Sequence, residues 1–303
     1  MIQFTNISKS FDEVKAVRNV SLSIDEGQLF GFIGPDGAGK TTLFRMLNSL
    51  LIADEGSIEL FGLDPHKDYK KVRQIIGYMP GKFSLYYDLS IEENLNFFAT
   101  VFGTTIEENY HLIEDIYKQI EPFKKRHAGK LSGGMKQKLA LCCALIHKPK
   151  LLLLDEPTTG VDAVSRREFW DMLKSLKSKG ITIVVSTPYM DEAGMCDSVA
   201  LMQNGQIHAV ESPKAIVDNF QKELLAVKCN DMYKALLTLR NYENCYNVYP
   251  FGEYLHYIDK RDSKPIEDIN DCLLKHDLQE IEINPVKPDI EDCFIELTRK
   301  LSV

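Results

Sequence analysis

Hydrophobic residues follow two alternating patterns along residues 1–220. Residues 1–6 and 16–24 alternate apolar and polar side chains, whereas KLLLLD and ITIVVST are continuous apolar runs, and both patterns predict strands. Apolar residues at helical spacing lie between these segments, including a helix that the capping box of Ser90 and Glu93 introduces. Because strands alternate with helices, we expect an α/β fold with a largely parallel sheet covered by helices.

The pattern changes after residue 220. Strands and helices are predicted in the order β-α-β-β-α-β with a final helix, at 224–229, 232–239, 245–249, 253–258, 266–274, 280–283 and 290–301. This order is typical of a small ferredoxin-like α+β domain. The sequence therefore predicts a first domain over 1–220 and a second, accessory or regulatory domain over 221–303.

Composition narrows the class of protein. The 303 residues carry a net charge of −8, which disfavours nucleic acid as a partner. No run of about 18 apolar residues and no signal-peptide pattern is present, so we expect a chain without a membrane span. The seven scattered cysteines form no C-x-x-C pair, which predicts free thiols in a cytosolic protein.

The segment GPDGAGKTT matches the phosphate-loop template between a predicted strand and a predicted helix. Its glycines let backbone N–H groups converge on phosphate oxygens, and the helix dipole points its positive end at the same anion. Lys40 suits neutralisation of the β- and γ-phosphates, and the Thr41 hydroxyl suits Mg²⁺. The predicted phosphate-binding residues are Gly34, Asp36, Gly37, Ala38, Gly39, Lys40, Thr41 and Thr42.

Two carboxylates end the buried strand LLLLD. Asp155 suits coordination of Mg²⁺, directly or through water, and Glu156 suits a general base that polarises the attacking water. Taken alone, an acidic turn after a buried strand would look the same. Beside a phosphate loop, the pair indicates catalysis on a nucleotide.

The segment LSGGMKQ decides between the classes of phosphate-loop protein. Ser132, Gly133 and Gly134 stand at the start of a predicted helix, which forms a second anion-binding terminus. One chain holds one nucleotide in its own phosphate loop, so this terminus makes sense if it caps the nucleotide of a neighbouring subunit. Here the chain resembles the ATP-binding cassette (ABC) family, whose signature is LSGGQ; Met135 replaces the glutamine, and Gln137 follows two residues later.

The resemblance covers residues 2–220 and implies a RecA-like phosphate-loop core with a β-subdomain and a helical subdomain, which binds ATP and Mg²⁺. It implies that Phe11 stacks on adenine, with a core aromatic as the alternative, and that Asp162 signals across a dimer of cassettes. It also implies that segment 82–98 docks an integral membrane permease, with ordinary core packing of its aromatics as the alternative. The protein would then lie in the cytoplasm, on the inner face of the cell membrane.

Besides Met135, three residues depart from the family's pattern. Gly81 stands where the family has the glutamine of YMPQ, Pro188 replaces the histidine of STH, and Asp36 adds negative charge near the phosphates. Removing one preorganised electrostatic contact typically costs about 10²–10³ in rate. We therefore hypothesise a weak ATP site whose intact signature serves a fully equipped partner cassette. A homodimer with two slow sites is the alternative.

The type of ABC protein rests on further resemblances. The segment VKPDIEDCFIELTRK resembles the end of drug-resistance exporter ATPases, and the phosphate loop with the altered switch is similar to the first ATPase half of tandem two-ATPase multidrug efflux proteins. The resemblance implies the ATPase subunit of an ABC-2 type exporter. The alternatives are a non-transport ABC ATPase and an accessory nucleotide-binding subunit with little hydrolysis, whereas LSGGMKQ disfavours a phosphate-loop kinase.

Overall fold

The computed structural model describes residues 1–261 and 265–300. The chain divides into two compact units, and the division falls between Pro213 and Lys214. The strands of the first unit are β1 Ile2–Phe11, β2 Val14–Ile24, β3 Leu29–Ile33, β4 Glu55–Leu60, β5 Ile76–Met79, β6 Leu151–Asp155, β7 Thr182–Thr187, β8 Ser198–Gln203 and β9 Gln206–Glu211. Its helices are α1 Lys40–Leu47, α2 Tyr69–Ile75, α3 Ile91–Val101, α4 Ile106–Tyr117, α5 Gly133–Leu145, α6 Ala163–Ser178 and α7 Met190–Ala193.

Two sheets build the first unit. The larger sheet has the order β5-β6-β7-β3-β8-β9 and is parallel except for the β8–β9 pair, so the predicted largely parallel sheet is confirmed. Strands β3, β6 and β7 are buried along their whole length, because strands covered on both faces need apolar side chains on both. A smaller antiparallel sheet, β2-β1-β4, supplies the β-subdomain.

Local capping sets where the helices of the first unit begin. Ser90 caps α3 in the predicted capping box, with its hydroxyl accepting from the Glu93 N–H and its own N–H donating to the Glu93 carboxylate. Ser132 caps α5 by accepting from the Met135 N–H at 3.3 Å. These bonds satisfy N–H groups that the helices leave free, so short sequence segments position the helix starts.

The second unit has the predicted ferredoxin-like topology. Its four-stranded antiparallel sheet has the order β11-β12-β10-β13, which places the first strand between the third and the fourth. The elements are α8 Pro213–Asp218, β10 Leu224–Lys228, α9 Met232–Arg240, β11 Cys245–Phe251, β12 Tyr254–Asp259, α10 Ile266–Leu274, β13 Glu282–Val286 and α11 Ile290–Lys300. The boundary predicted at residue 220 therefore lies beyond α8.

One strand of the second unit lies later in the chain than predicted. The sequence pattern predicted a strand at 280–283, whereas β13 pairs with β10 from Glu282 to Val286. Glu280 has a φ of +53°, which lies outside the β region, and β13 begins two residues after it. The final helix follows its prediction over the described residues, and Leu301 lies outside them.

Each unit has a hydrophobic core of its own. In the first unit, side chains of the smaller sheet, including Phe4, pack with Phe32 and Phe44 from β3 and α1. In the second unit, the core contains Leu225, Tyr257 and neighbouring side chains from β10, β12 and the helices. Within the described ranges, no helix combines the length and the apolar composition needed to cross a membrane.

Candidate nucleotide site

The phosphate loop connects β3 to α1 and is held by backbone contacts on two sides. The Gly34 N–H donates to the Thr187 carbonyl oxygen at 3.3 Å. A Cβ atom would lie 2.0 Å from the Met202 carbonyl oxygen at Gly34, and 2.3 Å from the Ala16 carbonyl oxygen at Gly39. Gly39 also has a φ of +106°. Both positions therefore require glycine, and the loop can approach a ligand with bare backbone.

Lys40 is a buried cation at the start of α1, with only 3% of its surface exposed. Its Nζ donates to the carbonyl oxygens of Gly34 at 2.7 Å and Pro35 at 3.0 Å, and lies 3.6 Å from Glu156 Oε1. Burial lowers the pKa of Lys40, although the carboxylates of Glu156 and Asp36 oppose this shift. The ammonium is held at the phosphate loop, where an anionic ligand would complete its neutralisation.

The two carboxylates at the end of β6 lie beside the phosphate loop. Thr41 Oγ1 donates to Asp155 Oδ1 at 3.1 Å, and Ser186 Oγ donates to the same oxygen at 2.6 Å. The Glu156 N–H lies 3.0 Å from both the carbonyl oxygen and Oγ of Ser186. Glu156 has a φ of +50°, a strained conformation for a residue with a side chain, which is typical of functional sites.

Ser186 was missed in the sequence analysis. It pairs directly with Asp155 in the register between β6 and β7, so the strand pairing brings its hydroxyl to the carboxylate. A polar residue near the end of a buried strand was the available signal, but its partner lies 31 positions earlier in the chain.

Thr41 and Asp155 fit a magnesium ion. Both supply hard oxygen donors, and their hydrogen bond already holds them close together. Across the part of the chain that the structure describes, no group of three or more His, Cys, Asp or Glu side chains could hold a metal. The oxygens of Thr41 and Asp155 suit Mg²⁺, because this ion is usually bound through one or two carboxylates, water and substrate phosphates.

A cleft of 440 Å³ opens beside the phosphate loop and reaches Phe11 at the end of β1. Phe11 is 45% exposed, so it is not a core aromatic, and its ring lies 5.7 Å from Lys9 Nζ. An exposed ring at the mouth of the cleft can stack on a base. The cleft is also lined by Lys15, Arg18 and Asn204, which the sequence analysis missed because they lie outside the motifs.

The signature segment lies elsewhere in the first unit. Ser132 and Gly133 are exposed at the start of α5. A Cβ at Gly133 would lie 3.7 Å from the Gly160 carbonyl oxygen, and one at Gly134 would lie 2.9 Å from Ser165 Oγ. Of the described residues that line the cleft, none belongs to the signature. The predicted anion-binding terminus therefore lies outside the described lining of this chain's own cleft.

Asp162 caps α6 by accepting from the Ser165 N–H at 3.0 Å. The hydrogen bonds from the Ser165 backbone and side chain lower the pKa of the Asp162 carboxyl. The loop that contains Gly160 and Asp162 lies against the signature, because Gly133 and Gly134 lie close to Gly160 and Ser165.

Gly81 and Pro188, two of the altered positions, adjoin the carboxylates and the phosphate loop. A Cβ at Gly81 would lie 3.1 Å from the Asp155 carbonyl oxygen and 3.7 Å from Glu156 Cβ. Pro188 follows Thr187, whose carbonyl oxygen accepts from the phosphate loop. Gln137, predicted with the signature, lines a groove of 320 Å³ together with Gly81.

Comparison with known proteins accounts for this arrangement. A family model described as "ABC transporter" matches residues 17–159. The "Nod factor export ATP-binding protein I" of Burkholderia lata is 35% identical over 72% of this chain and 73% of its own length.

The chain belongs to the ABC transporter ATP-binding family.

The chain spans about half the length of another relative. The "Probable multidrug ABC transporter ATP-binding protein YbhF" of Escherichia coli K12 is 39% identical over 98% of this chain and 52% of its own length. Among solved structures, the "Dimeric Structure of MJ0796, a Bacterial ABC Transporter Cassette" has a TM-score of 0.64 at 26% identity, over 70% of this chain and 98% of that chain. The expected ABC ATPase fold is confirmed, and membership of the ABC family implies ATP binding and hydrolysis.

Proposed function

We propose that this chain is the ATP-binding subunit of an ABC-2 type exporter, similar to multidrug efflux systems, and that it energises transport through a membrane permease. Its own ATP site hydrolyses slowly, and its signature completes the site of a second, better-equipped cassette. The observation that carries the proposal is the position of Gly81 beside Asp155 and Glu156. A side chain there would reach the metal and the attacking water, and glycine provides none.

The rest of the site favours ATP binding over hydrolysis. Lys40 would hold the β- and γ-phosphates, and the glycine backbone of the phosphate loop would cradle their oxygens. Glu156 would orient and polarise the attacking water as general base. Thr41 and Asp155 would hold Mg²⁺, which, when bound, neutralises charge on the phosphate oxygens. Pro188 offers neither a hydrogen-bond donor nor a charge at the switch position, so the transition state is stabilised less than the bound ATP.

The groove beside Gly81 supports a permease as partner. It is lined by Phe83, Phe98 and Phe102 among others, and the Phe102 ring is exposed at its edge. Phe83 and Tyr87 pack edge to face at 5.2 Å. Apolar grooves of this kind accept an amphipathic helix, and the docking segment expected at 82–98 contributes to its wall. The chain would then be peripheral, on the cytoplasmic face of the membrane.

The names of two relatives support export as the direction of transport, because they contain the words "multidrug" and "export". The second unit is proposed to contribute to dimer contact or regulation, as its resemblance to exporter ATPases implies. An accessory subunit with little hydrolysis differs from this function only in rate, so the same experiment separates the two.

The test compares ATP turnover of the purified chain with that of a Gly81→Gln/Pro188→His double variant. A slow parent that binds ATP and a variant faster by roughly tenfold or more would support the degenerate site. Adding Glu156→Gln to the double variant should abolish the gain. Pro122→His, at an exposed position in a different segment, is the matched control and should leave turnover unchanged.

Ordinary turnover in the parent, lost on Glu156→Gln alone, would contradict the weak site and indicate a working homodimer. A parent that binds ATP, with no gain in the double variant, would instead favour the accessory subunit with little hydrolysis. The Gln side chain at position 81 requires the neighbouring backbone to move by only a few tenths of an ångström, since its Cβ would lie 3.1 Å from the Asp155 carbonyl oxygen.

A further inference from the structure

Glu192 is a buried carboxylate that the nucleotide cleft does not use. It lies in α7, just after Pro188, and only 2% of its surface is exposed. Thr158 Oγ1 donates to Glu192 Oε1 at 2.7 Å, and Arg166 Nε lies 3.6 Å from the same oxygen. A buried carboxylate is costly unless it is paired and hydrogen-bonded, so these contacts to Oε1 offset part of the cost of burying Glu192.

The partners of Glu192 come from two segments with predicted roles in catalysis. Thr158 lies two residues after Glu156, in the turn that follows β6. Arg166 lies in the first turn of α6, where its N–H donates to the carbonyl oxygen of Asp162 at 2.9 Å. One carboxylate therefore joins the turn of the general base to the helix that Asp162 caps.

Arg166 also contacts residues next to the switch segment, which is Ser186, Thr187 and Pro188. Its guanidinium carbon lies 4.3 Å from the centroid of the Tyr189 ring, in a cation–π contact. Its Nη1 lies 3.6 Å from Asp191 Oδ2. The Tyr189 N–H donates to Thr187 Oγ1 at 3.1 Å, at the carboxyl end of β7. The residues on both sides of Pro188 are thus connected to the Asp162 loop by polar contacts.

We propose that Glu192 is a positioning residue for ATP hydrolysis. It acts through Thr158 and Arg166 to keep Glu156 and the Asp162 loop in fixed positions relative to the switch segment. ATP bound to this chain contacts the phosphate loop and the Asp155–Glu156 turn, and the link transmits the resulting shift to the Asp162 loop. The proposal rests on the roles assigned to Glu156 and Asp162 in the proposed function. It explains how the loop beside the signature can respond to nucleotide although position 188 has no polar side chain.

The test removes one hydroxyl. Thr158→Val keeps nearly the same shape but cannot donate to Glu192, whereas Thr158→Ser keeps the donor. Thr100→Val is the matched control, since the Thr100 hydroxyl donates at 2.8 Å to the Asn96 carbonyl oxygen in α3. Two measurements are made with Mg²⁺ and ATP. The first is steady-state kinetics, which gives kcat and KM relative to the parent, and the second is the ATP-dependent slowing of amide hydrogen exchange over residues 156–166.

Thr158→Val should lower kcat by roughly tenfold, because small displacements of a catalytic group have large effects on rate. KM for ATP should change by less than about twofold, since phosphate binding is left intact. The slowing of exchange by ATP over 156–166 should disappear. Thr158→Ser should restore both quantities toward the parent, and Thr100→Val should behave as the parent.

Three results would overturn the proposal. The first is a Thr158→Val protein with the parent's kcat and the parent's ATP-dependent protection. The second is Thr158→Ser failing as badly as Thr158→Val. The third is faster exchange without ATP and an unchanged difference on adding ATP, which would indicate a merely structural role.

The two proposals fail separately. The weak-site function depends on the absolute turnover of the parent, whereas the role of Glu192 depends on ratios between variants. The exchange measurement requires ATP binding and no turnover, so it remains decisive for a very slow enzyme.

Discussion

The two units of the chain differ in what surrounds their buried charged side chains. In the first unit, Lys40 is buried and lines a cleft of 440 Å³, and Asp155 is buried beside Thr41, which lines the same cleft. In the second unit, His256 and Asp292 are buried and bond to each other, and Asp292 also accepts from the Tyr249 hydroxyl. Buried charge beside a cleft indicates a ligand site, whereas buried charge in a closed network indicates a structural link.

The closed network attaches the last helix to the sheet of the second unit. Asp292 in α11 lies 2.6 Å from His256 Nδ1, accepts from the Tyr249 hydroxyl at 2.8 Å, and accepts from the Asp289 N–H at 2.8 Å. Burial would raise the pKa of Asp292, but these hydrogen bonds outweigh it and hold that pKa below its usual value. The network therefore favours the ionised carboxylate.

The largest effect should come from removing the buried cation of the cleft, and it should appear in ATP affinity. Lys40→Ala removes the ammonium that the phosphates need, and we expect ATP binding to weaken by about 3 kcal/mol, or roughly a hundredfold in Kd. Equilibrium titration with ATP and Mg²⁺ measures this loss. Lys82→Ala, an exposed lysine in the docking segment, is the control and should bind ATP as the parent does. Equal affinity in Lys40→Ala would show that the cleft does not hold the phosphates.

A comparable substitution in the second unit should lower stability and leave ATP binding unchanged. Asp292→Ala leaves His256 and Tyr249 without their acceptor, and we expect the free energy of unfolding to fall by about 2 kcal/mol. Faster amide hydrogen exchange in strands β10 to β13 would measure this loss of stability. The Kd for ATP should stay unchanged, because the contacts of Asp292 named above all lie within the second unit. Weaker ATP binding in this variant would contradict the division of roles.

The smallest effect is a dependence on pH. Because the folded-state pKa of Asp292 is lowered, its contribution to stability is present above the unfolded value of about 3.9 and disappears as pH falls through the folded pKa. The difference in unfolding free energy between the parent and Asp292→Asn should therefore be constant near neutral pH and shrink in acid. Urea unfolding of both proteins across this range measures it, and a difference that grows in acid would contradict the sign.

Segments close in sequence were predictable because the interactions that shape them are local. The capping box of Ser90 and Glu93 and the cap of α6 by Asp162 each involve residues three positions apart. The phosphate loop combines nine neighbouring residues with a strand before and a helix after. The order of strands and helices in the second unit likewise predicted its topology, although the last strand begins at Glu282, two residues later than predicted.

What the sequence by itself determined is thus the family, the phosphate loop, the pair of carboxylates that ends β6 and the order of the elements, since contiguous residues encode each of them. Only the tertiary structure decided the contacts between distant segments. Ser186 reaches Asp155 because β6 and β7 pair in parallel, and Thr158 reaches Glu192 across 34 positions. Such partners depend on strand register and packing between elements, and one-dimensional patterns contain neither.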